Sequence, residues 1–401
     1  MSWPVVELGN VVKVASGFAF KSKEFVNNGY PIIRISNITG SNVDIDSAAN
    51  VPAKAVEGKE KFIVQSGDIL VAMSGATTGK LGIVPNGIGK AYLNQRVGRF
   101  GFDEKELDSK YLFYFLMSSE CQIQIGNLAA GAAQPNISGS QLESIKIPLP
   151  PLPVQKQIAA VLEKADTLRS QCQQMEKELN SLAQSVFLDM FGDYKKSDLS
   201  NFTTLGDCAN VCSGVTKGQK FGDKPTVTVP YMRVANVQDG YLDLNEIKEI
   251  EAKITDYDKY LLKVGDVLMT EGGDFDKLGR GAVWEGQVDG CIHQNHVFRV
   301  RLGERYLPKF FEYLLQSQYA KQYFLKCAKK TTNLASINIT QLKSLPMPQV
   351  DLILQQEFVS FISKLDEHKQ QLEQTKQQLD DNFNSLMQRA FKGELDLKDV
   401  A

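Results

Sequence analysis

The chain of 401 residues repeats itself, and this internal duplication constrains its fold more than any other feature. Leu8-Gly9 recurs as Leu205-Gly206, and Gly67-Asp68 recurs as Gly265-Asp266. The same displacement, between 197 and 200 positions, relates further groups of residues: Pro31, Arg34 and Asn37 to Pro230, Arg233 and Asn236; Gln141-Leu142 to Gln341-Leu342; and Gln155 and Asp166 to Gln355 and Asp366. Two copies are too few for a solenoid, so the pattern predicts an internal pseudo-two-fold symmetry.

Each copy ends in a strict heptad pattern, with apolar residues spaced alternately by four and three. The first copy has Val154, Ile158, Val161, Ala165, Leu168, Cys172, Met175, Leu179, Leu182 and Val186. Positions 200 residues later are Leu354, Phe358, Phe361, Leu365, His368, Leu372, Thr375, Leu379, Asn382 and Leu386. Each copy therefore predicts one long helix. Three positions of the second copy are polar: His368, Thr375 and Asn382. Such residues either fix the choice of partner helix inside a seam, or they face solvent or a partner protein at its rim.

A narrow heptad stripe needs a partner helix, and the other copy offers the nearest one. The residues expected to pair the helices are Val161, Leu168, Met175, Leu179, Leu182, Phe361, Leu365, Leu372, Leu379 and Leu386. The period alone does not distinguish parallel from antiparallel pairing. We favour an antiparallel coiled coil, because the roughly 150 residues between the helices can span the return.

The residues before each helix predict an α+β globular domain. Short β-branched and aromatic runs such as PIIRISNI and PYMRVANV alternate with turn residues, and a helical stretch follows them. The predicted boundaries are a first globular domain over 1–150, a central helix over 151–192, a second globular domain over 193–350, and a distal helix with a C-terminal tail over 351–401.

Composition excludes several classes of protein. Lys and Arg number 45 against 47 Asp and Glu, so the formal charge of −2 gives no global attraction to nucleic acid. We find no secretion signal and no apolar run long enough to span a membrane, which predicts a cytoplasmic protein without membrane contact. The six cysteines are therefore expected to be reduced thiols.

Motifs for catalysis and metal binding are weak. Gly75 to Lys80 has one residue too few for a phosphate-binding loop, and Leu81 stands where such a loop needs Ser or Thr. No methyltransferase or dinucleotide-binding motif occurs. Cys208, Cys212, His293 and His296 have a conceivable zinc spacing. Because the first copy has no ligand types at the matching positions, we expect no metal site. The missing nucleotide-binding and methyltransferase motifs lead us to expect that the chain is not itself an enzyme.

What remains is suited to binding. A Gly-rich loop follows equivalent strands in both copies, and a polar stretch follows another strand. Such residues grip phosphates or read base edges. The candidate DNA-binding residues are Ser74, Thr77, Thr78, Lys80, Asn94, Gln95 and Arg96 in the first copy, and Lys277, Arg280, His293, Gln294, Asn295 and His296 in the second.

Several stretches resemble the specificity subunit of Type I restriction-modification systems. They include SGFAFKSKEF, GDILVAMSGATTGKLG, IPLPPLPVQKQIAAVL, CIHQNHVFRVR and SLMQRAFKGEL, and they run from one end of the chain to the other. The resemblance implies two target-recognition domains, each reading one half of a split, asymmetric sequence in double-stranded DNA, with the paired helices as a spacer.

The same resemblance implies partners that supply the chemistry. These are two methyltransferase subunits and two ATP-driven restriction subunits, which would bind S-adenosylmethionine and ATP, while this chain holds no cofactor. The alternative is a two-headed coiled-coil scaffold that binds proteins or glycans without DNA.

Overall fold

The computed structural model describes residues 3–130, 134–196, 198–275, 277–331 and 334–397. It divides into two compact units, one formed by Met1–Gln173 with Gln374–Ala401 and the other by Gln174–Glu373. The central helix, Leu152–Phe191, and the distal helix, Leu352–Lys392, each contribute one segment to each unit. Each unit therefore combines residues from both copies of the repeat.

The first unit contains two four-stranded sheets. In one, Val97–Phe102 lies between Val12–Ser16 and Ile69–Ala72 with antiparallel pairing, and Leu81–Ile83 completes the edge. The other pairs Tyr30–Ile33 in parallel with Ala91–Leu93. The remaining strands are Val5–Glu7, Ala49–Val51, Ile63–Val64 and Lys146–Pro148, and the α-helices before the central helix are Ala53–Val56, Ser109–Met117, Ser119–Ala129 and Gly139–Glu143.

The second unit repeats the antiparallel four-stranded sheet and the parallel strand pair, here as part of a three-stranded sheet, which confirms the predicted α+β class and the duplication. Val297–Leu302 lies between Ala209–Ser213 and Val267–Thr270 in a four-stranded antiparallel sheet, and Gly281–Val283 forms its edge. The other strands are Thr203–Thr204, Thr226–Met232, Lys248–Lys253, Gly272–Gly273, Ile292–His293, Lys329–Lys330, Ala335–Ser336 and Pro346–Met347; the α-helices before the distal helix are Leu205–Cys208, Ile254–Tyr260, Pro308–Gln316, Gln318–Cys327 and Ile339–Lys343.

A buried glutamine joins each long helix to its globular part. Gln155 is 1% exposed; its side-chain oxygen accepts from the Asp108 backbone, and its amide donates to the carbonyls of Glu106 and Pro150. Gln355 makes the corresponding bonds in the second unit. Because an amide can satisfy three backbone groups at once, this residue fixes the start of the helix against the sheet domain.

Each unit packs the end of one long helix against the start of the other, so the helices are antiparallel. In the first unit, Phe383, Met387, Ala390 and Phe391 of the distal helix share a core with Ile158 and Leu162 of the central helix. In the second, Phe187 and Phe191 lie edge-on to Phe358, with ring centroids 5.4 Å apart in both pairs. The predicted antiparallel pairing is confirmed.

The buried stripe of the central helix differs from the predicted seam in one of its two rows. Leu168, Met175 and Leu182, which we expected to pair the helices, are 45%, 51% and 43% exposed. The row that lies inside instead contains Leu162, Arg169, Glu176 and Ala183, beside the shared row Ile158, Ala165, Cys172, Leu179 and Val186.

Arg169 lies in the inner row although it is charged, because its guanidinium is paired with carboxylates and stacked on an aromatic ring. Its Nε donates to Asp380 over 2.6 Å, Nη1 donates to Asp166 over 3.1 Å, and its guanidinium lies 4.4 Å from the centre of the Phe383 ring. A paired and stacked arginine can cover apolar surface with its stem. The prediction that assigned seam positions from the hydrophobicity of each residue was therefore wrong for this row.

The distal helix has the same shift. Leu365, Leu372, Leu379 and Leu386 lie on its buried stripe, and the adjoining inner row is Ile362, Lys369, Lys376, Phe383 and Ala390. His368, Thr375 and Asn382 are exposed. The structure therefore favours the interpretation in which these polar residues lie at the rim of the seam, over the one in which they fix the choice of partner helix inside it.

The corrected seam predicts a contrast between two leucines on the central helix. Leu162 is fully buried in the first unit's core, so Leu162→Ala should lower the free energy of unfolding by about 2 to 5 kcal/mol. Leu168→Ala removes an exposed side chain and should change it by less than about 0.5 kcal/mol. Urea denaturation of the two full-length variants measures the two changes in the free energy of unfolding. Equal losses would mean that Leu168 does lie in the seam that pairs the helices.

Candidate nucleic-acid interface

The candidate residues of the first unit follow the ends of two parallel strands. Ile33 pairs with Leu93, and the Asn94 backbone N–H donates to the Ile33 carbonyl over 3.0 Å. Because parallel strands have their carboxyl ends at the same edge, Arg34 and the stretch 94–96 leave the sheet side by side. We call this edge, formed by Arg34 and the stretch 94–96 together with the loop 73–80, the first loop face.

A glycine allows a third segment to join the first loop face. A Cβ on Gly17 would lie 2.1 Å from the Leu93 carbonyl oxygen, which no side chain tolerates. The close approach lets the Phe18 N–H donate to Leu93 and the Gln95 N–H donate to Phe18, over 2.8 and 3.0 Å. Phe18 is 37% exposed beside the polar stretch.

The Gly-rich loop is held against the same stretch by backbone bonds. The Met73 N–H donates to the Arg96 carbonyl over 2.9 Å, and the Gly75 N–H donates to the Pro135 carbonyl over 2.9 Å. Thr78 donates its hydroxyl to the Gly75 carbonyl over 2.7 Å, and Lys80 at the end of the loop is exposed. The loop therefore has an ordered backbone and an exposed cation.

Not every predicted residue of the first loop face reaches solvent. Asn94 is 7% exposed, and its side-chain oxygen is 3.4 Å from the Arg96 backbone nitrogen, so it shapes the turn. Ser74 and Thr77 have buried hydroxyl oxygens without a hydrogen-bond partner. The side chains best placed to meet a ligand are Lys80, Gln95 and Arg96, which are exposed.

The second unit has an equivalent edge, which we call the second loop face: residues 233–238, 271–275, 277–280 and 294–296. Met232 pairs in parallel with His293, and the Gln294 N–H donates to the Met232 carbonyl over 2.9 Å. Gln294 and Asn295 are half-buried, and His296 is exposed with its Nδ1 2.5 Å from a carboxylate oxygen of Glu271.

His293 lies in the interior and does not belong to this face. It is 0% exposed, its Nδ1 is 2.7 Å from the Val297 carbonyl oxygen, and Tyr260 packs edge-on against its ring. Burial lowers the pKa of His293 to about 4, so the imidazole is neutral at pH 7. A neutral buried histidine whose Nδ1–H donates to a backbone carbonyl is a core residue.

Arg280 and Lys277 have different surroundings. Arg280 is half-buried; it donates to the Gln238 side-chain oxygen over 2.9 Å and to the Val234 carbonyl over 3.3 Å, which ties the Gly-rich loop to the turn 233–238. Lys277 is exposed and pairs with Asp274. Arg280 therefore supports the loop, while the Lys277 ammonium lies at its surface.

The conceivable zinc ligands do not form a site. Cys212 Sγ lies 3.9 Å from His293 Nε2, and burial raises the pKa of Cys212. Within the described residues, no group of three or more His, Cys, Asp or Glu side chains is arranged to hold a metal ion.

None of the described helices has the length and hydrophobicity that a membrane-spanning segment requires.

Sequence reasoning missed cations that only the fold brings to these faces. Lys329–Lys330 pairs with Ala335–Ser336, which in turn pairs with Gly272–Gly273 of the Gly-rich loop, so two exposed lysines join the second loop face. The run KCAKK was a local signal for them. Arg34 and Arg233 were visible only as repeated residues, and the parallel strand pairs place them on the two faces.

A family model described as the Type I restriction modification DNA specificity domain matches residues 1–181 and 198–379. The EcoKI Type I restriction enzyme specificity subunit of Escherichia coli K12 is 25% identical over 422 residues, covering 98% of this chain and 89% of the relative. The MjaVIII specificity subunit of Methanocaldococcus jannaschii is 36% identical over 182 residues, 44% of this chain and 43% of the relative.

Two solved structures share the fold. A chain from a study of complex assembly and conformational transition of a type I R-M system has a TM-score of 0.59 at 17% identity, with 98% of each chain covered. The S subunit of the M. genitalium Type-I restriction-modification system has a TM-score of 0.54 at 16% identity, covering 98% of this chain and 96% of that one.

The first loop face predicts an effect of Arg96 on binding to duplex DNA. Arg96→Ala should weaken binding by about 1 to 3 kcal/mol if the guanidinium reads a base edge. Lys105→Ala is the matched control: Lys105 is exposed, and it follows Val97–Phe102 at the strand's other end, roughly 20 Å away. Fluorescence anisotropy of a labelled duplex compares them, and equal affinities would remove Arg96 from the interface.

Proposed function

The chain belongs to the Type I restriction-modification DNA specificity family, whose model matches most of both copies, and on that premise we propose that it directs partner subunits to a split, asymmetric DNA target. Each of its two DNA sequence recognition domains reads one half of that target. The protein is thus the DNA-specificity component of its system.

One observation carries the proposal of an asymmetric target. Both units have the central four-stranded sheet and the parallel strand pair, yet the positions that leave the parallel strand pair differ: Gln95 and Arg96 in the first unit correspond to Asn295 and His296 in the second. Amide, guanidinium and imidazole groups present different donors and acceptors to base edges. Equivalent scaffolds with different contact groups support the reading of two different half-sites.

The long helices would set the separation of the half-sites. The central helix has 40 residues and the distal helix 41, and each joins a globular part through a buried glutamine. An α-helix advances about 1.5 Å per residue, so helices of this length span roughly 60 Å. We propose that they act as a spacer between the two recognition domains.

We propose that the chemistry resides in partners. The motifs of a nucleotide-binding loop and of a methyltransferase are missing from the sequence, which supports a chain that is itself non-catalytic. Two methyltransferase subunits would supply S-adenosylmethionine-dependent methylation, and two restriction subunits would supply ATP-driven cleavage. The near-neutral chain is compatible with partners that contribute phosphate contacts.

Domain exchange tests the modular reading of the target. When residues 1–150 are replaced by the first domain of another family member, only one half of the methylated sequence should change, because each unit has its own loop face. Genome-wide mapping of methylated sites in a host that carries the exchanged subunit measures this. A change in both halves would contradict separate recognition by the two domains.

The alternative, a scaffold that binds proteins or glycans without DNA, makes a different prediction. A DNA-reading complex should bind random duplex with an affinity that falls steeply with salt concentration, because phosphate contacts release counterions. Titration of the full-length chain, purified with its partner subunits, against labelled duplex at several salt concentrations gives the slope. Absence of binding at low salt would favour the scaffold.

A further inference from the structure

The two loop faces carry an arginine at the same place. Arg34 and Arg233 each follow the first strand of the parallel pair. Each donates its backbone N–H to the side-chain oxygen of an asparagine three residues later, over 3.0 Å, and these asparagines, Asn37 and Asn236, are buried. The turn thus fixes both arginines in equivalent backbone positions.

The surroundings of the two guanidinium groups differ. Arg233 donates from Nη2 to the backbone carbonyl and to a carboxylate oxygen of Glu246, both over 2.9 Å. Hydrogen bonds from Arg233 and Lys248 hold the pKa of Glu246 below its ordinary value, so this carboxylate is charged at pH 7. The Arg233 side chain is 19% exposed. One end of its guanidinium, Nη2, is therefore held within the protein.

Arg34 has no such acidic partner among the described residues. The turns correspond through Asp44 and Asp243, which donate their backbone N–H to Asn37 and Asn236 over 2.8 Å. The position three residues further is Ser47 in the first unit and Glu246 in the second. Ser47 accepts from the Asn37 side chain over 3.1 Å. The carboxylate that holds Arg233 is thus replaced by a short neutral side chain.

Packing contacts hold the Arg34 side chain on the first loop face. Its guanidinium lies 5.3 Å from the centre of the Phe25 ring, and the next residue, Ile35, packs within 3.6 Å of where a Cβ on Gly75 would lie. The Nε atoms of Arg34 and Arg233 are both buried without a hydrogen-bond partner, but the Arg34 guanidinium, unlike that of Arg233, makes no hydrogen bond or ion pair within the described residues. Stacking on an aromatic ring reduces the entropy that an arginine loses on binding an anion.

We propose that Arg34 binds a DNA backbone phosphate at the first half-site, and that Glu246 withholds the equivalent Arg233 from the second. This inference rests on the proposed function. About half to two-thirds of protein–DNA hydrogen bonds go to phosphate and sugar oxygens, which favours a phosphate over a base edge as the ligand of Arg34. The two domains therefore grip the DNA backbone unequally although their folds match.

Arg34→Ala and its equivalent, Arg233→Ala, form a matched pair for a binding test. The full-length chain, purified with its partner subunits, is titrated with a labelled duplex that carries the mapped target and with a random duplex of equal length. Arg34→Ala should weaken binding to both duplexes by the same factor, about tenfold, and reduce the salt slope by about 1. Arg233→Ala should change either affinity by less than about twofold.

Exchanging the acidic group tests the cause. Ser47→Glu should reproduce the loss seen with Arg34→Ala, whereas Ser47→Gln, which also loses the hydroxyl, should not. Glu246→Gln removes the carboxylate that holds Arg233 and leaves only the bond to the backbone carbonyl, so it should tighten binding to both duplexes and raise the salt slope, by about 1 to 2 since Lys248 also loses its partner. Tighter binding cannot result from misfolding, so this variant stays informative if the others are unstable.

The possible outcomes separate the two claims. If the wild-type complex does not prefer the mapped target to the random duplex, the proposed function fails. If it does prefer the target and Arg34→Ala binds like wild type, or Arg233→Ala loses as much as Arg34→Ala, the inference alone is overturned. A loss confined to the target duplex would assign Arg34 to a base edge and also overturn the phosphate contact.

Discussion

The completion of each core by a long-helix segment from the other copy is the interaction on which the rest of the structure depends. In the first unit, Phe391 of the distal helix packs against Tyr111 and Phe115, with ring centroids 5.4 and 5.5 Å apart. In the second, Phe187 of the central helix packs against Phe310 at 5.6 Å. Neither sheet domain has its full core without the borrowed segment.

This packing gives both units a rigid frame on which loops can vary. The parallel strand pair delivers two segments to one edge, and the glycine at 17 or 214 lets a third segment approach the backbone closely. Backbone hydrogen bonds set much of the geometry of each loop face, and these bonds do not depend on the identity of the exposed side chains. Side chains on the faces can differ between units without a change of fold, as recognition of two half-sites requires.

Hydrogen bonds and ion pairs within the protein decide which cations of these faces are available. Arg280 braces its loop through Gln238, Arg233 is held by Glu246, and Lys277 is paired with Asp274. Lys80 and Arg96 of the first unit are exposed and form no ion pair among the described residues. A count of cations per segment therefore overstates the positive charge that the second domain presents to DNA.

The sequence by itself determined the duplication, the α+β class, the two long helices and the stretches that identify the family. Repeats, periodicity and turn residues are visible in the order of residues, and they require no knowledge of which residues are neighbours in space. Only the tertiary structure decided the inner row of each helix, where Arg169 replaces Leu168, and the burial of Asn94 and His293. These depend on which neighbour lies opposite a side chain. Such neighbours are distant in the chain, as Asp380 is from Arg169, and no local pattern encodes their contact.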